Sequence, residues 1–459
     1  MIFRSLCSLL SALCVFLKNF ALCATRYALC GFLFFFFFLS IAHADVYDVI
    51  SHFHPSLTLQ EYYSDNIFLT STKPQGDWIT TIYPGLRLST SRAEVTTPGL
   101  IQQAPAESSG VDLQYRLGLV SYASHVEDNY ISHEGTLNTW YTFDRKFTMR
   151  LREYLIRSED PLEREYTVGA LQNQYLLGIQ NQRSIYTRNV LEPSVGYQFG
   201  KENRFDLYYR SNIYVNENPS FEGSRENYIN PKLTYWFDIH NGVTLDYGLT
   251  RADFDRSPDF WGNTARARYT YRLNPQTSIF GEYKYITRNF ESPGVDYDVH
   301  NPSIGIEQAF SPTLSGRLQV GYFWENPEMG SSITGISYEG NLTQRTEKTT
   351  CILSFQGGYT EVYFVAQNLG FSRYYRTIGT VSHRLMARMT IGFSGSLERP
   401  EYPSSGQKDW IWMIGGNASY QIRRWLMISL EAYRREDNSN VGTANYSETR
   451  GILRLSVNI

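Results

Sequence analysis

Apolar and polar residues alternate with a period of two along most of the chain. In residues 147–152 the apolar side chains of Phe147, Met149 and Leu151 occupy every second position, with threonine and arginine between them. Residues 450–459 repeat this alternation. A period of two places alternate side chains on opposite faces of an extended chain, whereas an amphipathic helix needs a longer period. The pattern therefore predicts a series of β-strands.

Short turn sequences separate the alternating segments at regular intervals. They are Asp144–Lys146, Gly200–Asn203, Ile239–Gly242, Asn274–Gln276, Ser311–Thr313, Gln344–Thr346, Leu385–Arg388 and Arg423–Arg424. Later in the chain these turns are roughly 34–40 residues apart, which is one hairpin per interval. The longer polar stretches between them are Asn216–Arg225, Asp255–Phe260, Ser292–Asp296 and Tyr402–Lys408. Short turns that alternate with longer loops are typical of outer-membrane barrels, in which the turns face the periplasm.

The predicted fold is all-β, a transmembrane antiparallel up-and-down β-barrel of about 18–20 strands with short periplasmic turns and longer extracellular loops. The first hairpin and residues 359–369 fit either strand or loop, which leaves the strand count open within that range. Arginine recurs on the polar faces, and aromatic residues, 15% of the chain, lie near the segment ends. This arrangement favours a wet lumen and a lipid-facing exterior over a soluble sandwich. No run of about 20 apolar residues follows the leader, so helical membrane spans are not expected.

The N-terminus has the features of a cleaved secretory signal peptide. Arg4, Lys18 and Arg26 supply positive charge, and a strongly apolar stretch follows at Gly31–Ile41. Residues 42–44, Ala-His-Ala, form an A-x-A cleavage site. A retained membrane anchor is the alternative interpretation.

The predicted organisation has three parts: a signal peptide at 1–44, a periplasmic N-terminal segment at 45–54 and the transmembrane barrel at 55–459. The predicted location is the outer membrane of a Gram-negative bacterium. Beyond the leader only Cys351 remains, so neither an intrachain disulfide nor a cysteine-ligated metal is expected. The leader has three basic and no acidic residues, which leaves 39 Lys and Arg against 45 Asp and Glu. This balance does not suggest a nucleic-acid partner.

Two motifs stand near the start of the predicted barrel. The segments Tyr62–Leu69 and Asp77–Leu88 contain the patterns Y-x-D-N-x-F and D-x-I-x-x-I-x-P-G-L-x-L. The motif residues are Tyr63, Asp65, Asn66, Phe68, Pro84 and Gly85. The pairing resembles the opening of the putative β-barrel porin 2 family, which implies a large single-chain outer-membrane barrel. Because members of that family often accompany exopolysaccharide or capsule synthesis systems, the resemblance also implies a role in polysaccharide passage.

The motif residues also have a purely structural interpretation. Asp65 and Asn66 can bond to nearby backbone groups and bend a strand end. Pro84 lacks a backbone donor, so it suits a strand start, an edge or a bulge. We therefore expect these residues to act as folding elements rather than as a binding site.

Arginines on the polar faces are the candidate lumen residues. They are Arg116, Arg150, Arg152, Arg204, Arg210, Arg266, Arg268, Arg272, Arg317 and Arg454. The acidic residues assigned to the same faces are fewer: Asp112, Asp206, Asp246, Glu282 and Glu431. A basic wall would concentrate anions and would contact acidic sugars. Alternatively, these arginines pair with carboxylates across strands and only satisfy the lumen.

Histidine placement does not favour catalysis. His383 follows Ser382, but adjacent strand residues face opposite sides of a sheet. His52 and His54 could share a strand face and bind a metal, yet two ligands alone are a weak site. No catalytic residue, metal or cofactor is predicted.

Four functions remain open at this point. The first is a pore that takes part in export of an anionic exopolysaccharide, and the alternative is a general diffusion porin for small solutes. A structural or adhesive barrel and an outer-membrane hydrolase are further possibilities. The predicted constriction is the loop Ser158–Arg183, so deletion of Pro161–Gln172 is expected to raise conductance.

The predicted partners are outer-membrane lipid, the barrel-assembly machinery and periplasmic polysaccharide-export components. A long loop at residues 92–110 lies on the periplasmic side of the predicted hairpins. It is either a contact site for such a periplasmic partner or a tolerated loop.

Overall fold

A computed structural model describes residues 52–90, 109–159, 184–364 and 368–458. The chain divides into two compact units, Met1–Phe53 and His54–Ile459. Nearly all described residues belong to the second unit. The predicted signal peptide and most of the predicted N-terminal segment lie outside the described residues, as do most residues of the predicted loops at 92–110 and Ser158–Arg183.

The second unit is built from β-strands. The first ten strands are β1 (Phe53–Ser64), β2 (Asp77–Ser89), β3 (Ser109–Tyr122), β4 (Tyr130–Phe143), β5 (Phe147–Ser158), β6 (Tyr186–Gln198), β7 (Arg204–Asn216), β8 (Ser224–Trp236), β9 (Asn241–Phe254) and β10 (Phe260–Asn274). The second ten are β11 (Thr277–Phe290), β12 (Tyr297–Ser311), β13 (Leu314–Pro327), β14 (Ile333–Arg345), β15 (Thr349–Val362), β16 (Gly370–Met386), β17 (Met389–Tyr402), β18 (Gln407–Arg423), β19 (Leu426–Ser439) and β20 (Tyr446–Asn458).

Each strand pairs with its neighbours in sequence, and β1 pairs with β20 to close a 20-stranded sheet. This confirms the predicted antiparallel up-and-down barrel and gives the upper of the two expected strand counts. Closure leaves no sheet edge, so the backbone donors and acceptors of the barrel are satisfied within the wall. In the ambiguous stretch at 359–369, β15 continues to Val362, and the described residues 363, 364, 368 and 369 lie outside the strands.

The connections define two ends of the barrel. We call the end with the turns after β4, β6 and β8 the turn end, and the opposite one the loop end. At the turn between β4 and β5, Asp144 and Arg145 both have positive φ angles, 48° and 58°. That conformation matches the right-handed twist of a tight hairpin. The described loop-end connections include two 3₁₀ turns, Val126–Asp128 and Gly442–Ala444.

Apolar side chains cover the outward face of the strands. In β9, Leu245 and Tyr247 are 46% and 47% exposed, while Asp246 between them faces the other side and pairs with Arg266 of β10. In the described part of the chain no helix is long and apolar enough to cross a membrane. Aromatic rings contact one another on the outward face at the turn end, for example Tyr235 and Phe237, which meet edge to face with centroids 5.1 Å apart.

A repeated hydrogen-bond pattern marks the outward face nearer the loop end. The pairs are Tyr115–His133 (2.7 Å), Tyr209–Asn227 (2.8 Å), Tyr247–Asn263 (2.7 Å) and Tyr283–His300 (2.6 Å). Each tyrosine lies seven positions before the end of its strand, and each partner lies three positions after the start of the next strand. We call these pairs the tyrosine belt. Because tyrosine has an apolar ring and a polar tip, the belt marks a border between apolar and polar surroundings.

Candidate functional site: the charged wall of the lumen

All ten candidate arginines lie on the face opposite the exposed apolar side chains. Arg266 and Arg268, for example, alternate in β10 with the outward-facing Ala265, Ala267 and Tyr269. The strand register brings inward positions side by side, so Arg268 stands directly opposite Glu282 in β11. The alternation in the sequence thus places these guanidinium groups in the lumen wall.

Nine of the ten arginines form ion pairs with carboxylates. The pairs are Arg116–Glu134, Arg152–Glu192 (3.3 Å), Arg204–Asp206 (2.6 Å), Arg210–Glu226 (2.5 Å), Arg266–Asp246 (2.6 Å), Arg268–Glu282 (2.7 Å), Arg272–Glu202 (2.5 Å), Arg317–Glu307 (3.7 Å) and Arg454–Glu431 (2.8 Å). Arg150 stands opposite Trp140 in β4, and its Nε has no hydrogen-bond partner. The wall is therefore a set of matched charges and not a row of unpaired cations.

Several carboxylates in these pairs had not been assigned to the inner face from sequence. Glu134, Glu192 and Glu226 occupy inward positions of β4, β6 and β8. They offset the basic excess that the sequence suggested. Glu134 follows His133, Glu192 precedes Pro193 and Glu226 precedes Asn227. Because these neighbours weaken the apolar alternation, the pattern alone did not orient the three carboxylates.

Further arginine pairs in the wall also escaped the sequence reasoning. They are Arg87–Asp112 (2.8 Å), Arg288–Glu361 (2.6 Å), Arg376–Glu398 (2.7 Å) and Arg450–Glu448 (2.9 Å). Arg376 binds both oxygens of Glu398, the bidentate geometry in which guanidinium and carboxylate match best. The period of two could have placed Arg376 on the inner face, because it lies two positions after Tyr374 and therefore on the same side of the strand. Tyr374 and Tyr375 are adjacent, however, so the sequence did not show which side was apolar.

A cluster of aromatic side chains lies at the loop end of the lumen. Its members are Phe254, Phe260, Phe290, Tyr297, Phe323, Tyr359, Tyr363, Phe364 and Phe371. Tyr363 and Phe364 belong to the loop between β15 and β16, yet they contact β9 and β10. The ring of Tyr363 is 5.1 Å from that of Phe260, and Phe364 is 5.8 Å from Phe254. Because β10 and β15 are five strands apart, this loop extends inward past the strands between them.

Polar contacts fix the loop within the aromatic cluster. The hydroxyl of Tyr297 donates to Glu361 over 2.6 Å and lies 2.8 Å from the hydroxyl of Tyr363. Glu361 also accepts from Arg288. Burial and the neighbouring Glu361 raise the pKa of Tyr363, so its hydroxyl stays protonated. These contacts hold Tyr363 and Phe364 at the inner face of the barrel wall.

The loop predicted to constrict the lumen, Ser158–Arg183, lies almost entirely outside the described residues. Within the described residues, shorter loops pack against the inner face: the one between β15 and β16 through Tyr363 and Phe364, the one between β1 and β2 through Ile67 and Phe68, and the one between β7 and β8 through Phe221. The connection between β15 and β16 is seven residues long. The sequence did not indicate an inward position for it, because the constriction was predicted in the longest loop.

The N-terminal motif lies where β1 and β20 close the barrel. Asn66 is 1% exposed, and its side chain donates to the carbonyl oxygens of Thr70 and of Ser447 in β20, at 2.9 and 3.0 Å. Asp65 accepts from the backbone N–H of Thr449 over 2.7 Å. The β1–β2 loop is thereby fastened to the last strand, which supports the structural interpretation of these residues.

The remaining motif residues pack around the same region. Tyr63 faces outward against Trp78, with ring centroids 5.2 Å apart, and Phe68 meets the edge of the His125 ring. Gly85 faces Ser56 of β1, where an added Cβ would lie 2.7 Å from the serine Oγ. Pro84 falls at a gap in the ladder between β2 and β3, which fits its missing donor.

Histidine side chains take part in structural contacts. His383 Nδ1 lies 2.8 Å from the hydroxyl of Thr349, on the neighbouring strand, and not against Ser382. The side chain of His125 and three backbone N–H groups, those of Trp78, Ser124 and His125, hold the buried carboxylate of Asp77. Among the described residues no three His, Cys, Asp or Glu side chains are placed to hold a metal ion.

Comparison with known proteins places the chain among porin-like barrels. Residues 240–459 match the sequence model of the family described as "Putative beta-barrel porin 2". This match confirms the family that the N-terminal motif resembles, although the motif itself lies outside the matched residues. No curated protein matches the chain.

Solved structures resemble the barrel at very low sequence identity. A mutant of the ferric enterobactin receptor PfeA from Pseudomonas aeruginosa has a TM-score of 0.51 at 8% identity, covering 89% of this chain and 80% of that chain. Another mutant of this receptor, in complex with enterobactin, has a TM-score of 0.50 at 8% identity, covering 89% and 81%. OccAB4 from Acinetobacter baumannii has a TM-score of 0.41 at 12% identity, covering 89% and 98%. The receptor likeness shows the fold alone, which is that of outer-membrane proteins.

Proposed function

We propose that this porin-family barrel is an outer-membrane pore that takes part in export of an exopolysaccharide. The observation that carries the proposal is the lumen wall of paired charges, for example Arg210–Glu226, Arg266–Asp246 and Arg268–Glu282. A guanidinium donates hydrogen bonds and a carboxylate accepts them, so each pair can serve a sugar hydroxyl in either role. The arginines can also contact the carboxylates of an acidic polymer.

Charge compensation suits a polymer that must keep moving. A row of unpaired arginines would hold an acidic chain at many sites at once, whereas conduction requires contacts weak enough to be released. Nine of the ten arginines already have a carboxylate partner that competes with the polymer. The wall therefore offers many weak hydrogen bonds in place of a few strong ion pairs.

The aromatic cluster offers a second kind of contact for sugars. Aromatic rings such as Phe260 and Tyr363 present flat apolar faces, and sugar rings carry apolar C–H faces that stack on them. The cluster lies at the end of the lumen where a polymer would leave the cell. We infer that export components in the periplasm meet the turn end, and that the barrel-assembly machinery inserts the chain.

The export proposal is tested by surface polysaccharide on intact cells of a deletion strain. Complementation with the wild-type chain is expected to restore it, and a chain carrying Arg266→Gln and Arg268→Gln is expected to restore it only in part. Arg225→Gln, which changes an exposed outward arginine, is the matched control and is expected to restore it fully. Unchanged surface polysaccharide in the deletion strain would overturn the proposal.

A general diffusion porin is the second candidate. The near balance of positive and negative charge in the lumen wall supports this function as well as it supports polysaccharide export. Such a porin lets small sugars and salts of either sign pass. Swelling of liposomes that contain the purified barrel distinguishes the two functions. Rapid swelling in small sugars, together with normal surface polysaccharide in the deletion strain, would assign the diffusion function.

A further inference from the structure

Three consecutive turns at the turn end of the barrel carry a strong excess of positive charge. They connect β14 to β15, β16 to β17 and β18 to β19, so each lies two strands from the next. Together with the strand ends that lead into them, they contain six cationic residues and one acidic residue, Glu347. The cationic residues are Arg345, Lys348, Arg384, Arg388, Arg423 and Arg424. We call these six residues the basic rim.

The cations of the basic rim are available to a ligand. All six residues are exposed, and within the described part of the chain none of them forms an ion pair. In the lumen wall, by contrast, nine of the ten candidate arginines have a carboxylate partner. A carboxylate partner cancels much of the attraction that a cation exerts on other anions. The rim therefore attracts anions more strongly, cation for cation, than the wall does.

The other described turns at this end lack this excess. The turns after β4 and β6 contain Arg145, Lys146 and Lys201, but they also contain Asp144 and Glu202. The turn after β8 has an aspartate and neither lysine nor arginine, and the turns after β10 and β12 have no charged residue. Among the described turns, the positive charge is therefore concentrated on one side of the mouth of the barrel.

Two arginines of the rim face the lumen. Arg384 lies eight positions after Arg376, whose ion pair belongs to the lumen wall, and an even separation keeps both on one side of β16. Arg345 lies four positions after Asn341 in β14, and Asn341 is the register partner of the lumen arginine Arg317. The positive charge therefore continues from the turns into the entrance of the pore.

The spacing of the turns favours a polymer over a small anion. Neighbouring turns are about 9.6 Å apart, at twice the strand spacing, and the three turns span about 19 Å. Attraction between exposed charges falls off over about 8 Å at physiological ionic strength. A small anion therefore interacts with the cations of one turn, whereas a chain with repeated carboxylates can lie across all three. The inward direction of Arg345 and Arg384 favours a chain that enters the pore over a folded protein that rests on the turns.

We propose that the basic rim captures an acidic polysaccharide on the periplasmic side and directs it into the pore. The proposal rests on the export function and specifies the charge of the polymer and the side on which it enters. Guanidinium groups donate paired hydrogen bonds to carboxylates, which suits a chain of uronic acid units. A charged mouth also raises the local concentration of an oppositely charged ligand. Beyond the rim, the chain meets the matched charges of the wall, where its contacts are weak enough to be released.

The test uses oligogalacturonate, a chain of uronic acid units, added to single channels of the purified full-length barrel in planar bilayers. Each wild-type channel is expected to be blocked from one of the two chambers, because the rim lies at one end of the barrel. The double variant Arg384→Gln, Arg388→Gln is expected to require about fivefold more oligogalacturonate for half-maximal block, the loss expected from two exposed charge contacts. Neutral dextran of equal length is expected not to block.

The double variant Lys146→Gln, Lys201→Gln is the matched control. It also removes two exposed cations from the turn end, but from the turns after β4 and β6, outside the rim. We expect oligogalacturonate to block it as it blocks the wild type. Heat-modifiable migration verifies that each variant is folded.

Equal block of the wild type and of the correctly folded Arg384→Gln, Arg388→Gln variant would overturn the proposal. Stronger block by polyglutamate than by oligogalacturonate would assign the rim to an acidic protein segment instead. Loss of surface polysaccharide in the deletion strain, without any block by oligogalacturonate, would overturn the rim as an entry site and leave the export function standing. One-sided block together with unchanged surface polysaccharide would overturn the export function and retain the rim as a binding site for acidic polymers.

Discussion

At the scale of single residues, the lumen wall depends on how each arginine is neutralised. Arg266 and Asp246 are 2.6 Å apart, and the carboxylate is the less exposed partner, at 13% against 34% for the arginine. The pair sits in a wall where neighbouring positions carry further matched charges. Removal of one carboxylate therefore changes the local field more than removal of an exposed surface charge would.

We predict that Asp246→Asn makes the pore more anion-selective, because Arg266 is left without its carboxylate. The ratio of anion to cation permeability is expected to rise roughly twofold. Reversal potentials across planar bilayers under a salt gradient measure this ratio. Asp253→Asn, which removes an outward carboxylate of the same strand, is the control. No difference between the two variants would show that the pair does not face the conducting path.

A second residue-scale prediction concerns pH. Glu202 lies in the turn between β6 and β7, and its hydrogen bond with Arg272 of β10 lowers the pKa of its carboxyl. A lowered pKa means that the pair stabilises the fold above the ordinary value of 4.5, and that this contribution is lost as the pH falls through the folded-state pKa. The difference in Tm between wild type and Glu202→Gln is therefore expected at neutral pH and should shrink in acid below that value.

The heat-modifiable transition of the purified barrel measures this Tm across the pH range. Glu347→Gln, in the turn between β14 and β15, is the control for a change of charge alone. A difference between wild type and Glu202→Gln that stays constant from neutral to strongly acidic pH would contradict the assigned role of the pair.

At the scale of elements, the strands resemble one another in length and pairing, whereas the connections between them differ in length and in contacts. The β15–β16 loop is short, yet it places Tyr363 and Phe364 among aromatic side chains of β9 and β10. Gly358, with a φ of 138°, bends β15 just before this loop. That conformation suits glycine, since a side chain there would be strained.

We expect the double variant Tyr363→Ala, Phe364→Ala to increase single-channel conductance by roughly half, because it removes two rings from the loop end of the lumen. The barrel should still close, since all its strand pairs are intact. Phe393→Ala, which removes an exposed outward ring from β17, is the control and should leave conductance unchanged. Unaltered conductance in the double variant would place the narrowest point elsewhere.

At the scale of the whole molecule, the inner and outer faces follow opposite rules. The outer face presents apolar side chains and the tyrosine belt, while the inner face presents matched charges and buried polar groups. Both faces follow from one principle: apolar side chains are most stable against lipid, and charged side chains are most stable in water or in ion pairs. The closed sheet separates the two environments by a single layer of backbone.

The matched charges of the wall predict weak ion selectivity for the intact barrel. The anion-to-cation permeability ratio of the wild type is expected to lie within about twofold of one. Reversal potentials in neutral salts measure it directly. Strong anion selectivity would contradict this expectation and would mean that the arginines act as free cations in the pore.

The sequence by itself determined the class of fold and the orientation of most side chains. A period of two is a local property of extended backbone, so it assigned the ten arginines to one face and located the hairpin turns from Asp144 onward. The motif around Asp65 and Asn66 also indicated the family. These conclusions needed only neighbours along the chain.

Only the tertiary structure decided which charges meet and which loops reach inward. Arg272 in β10 pairs with Glu202, which lies in the turn before β7, so that β8 and β9 stand between the two elements. The side chain of Asn66 donates to a backbone carbonyl of the last strand. Register and closure bring such residues together, and a single sequence contains neither.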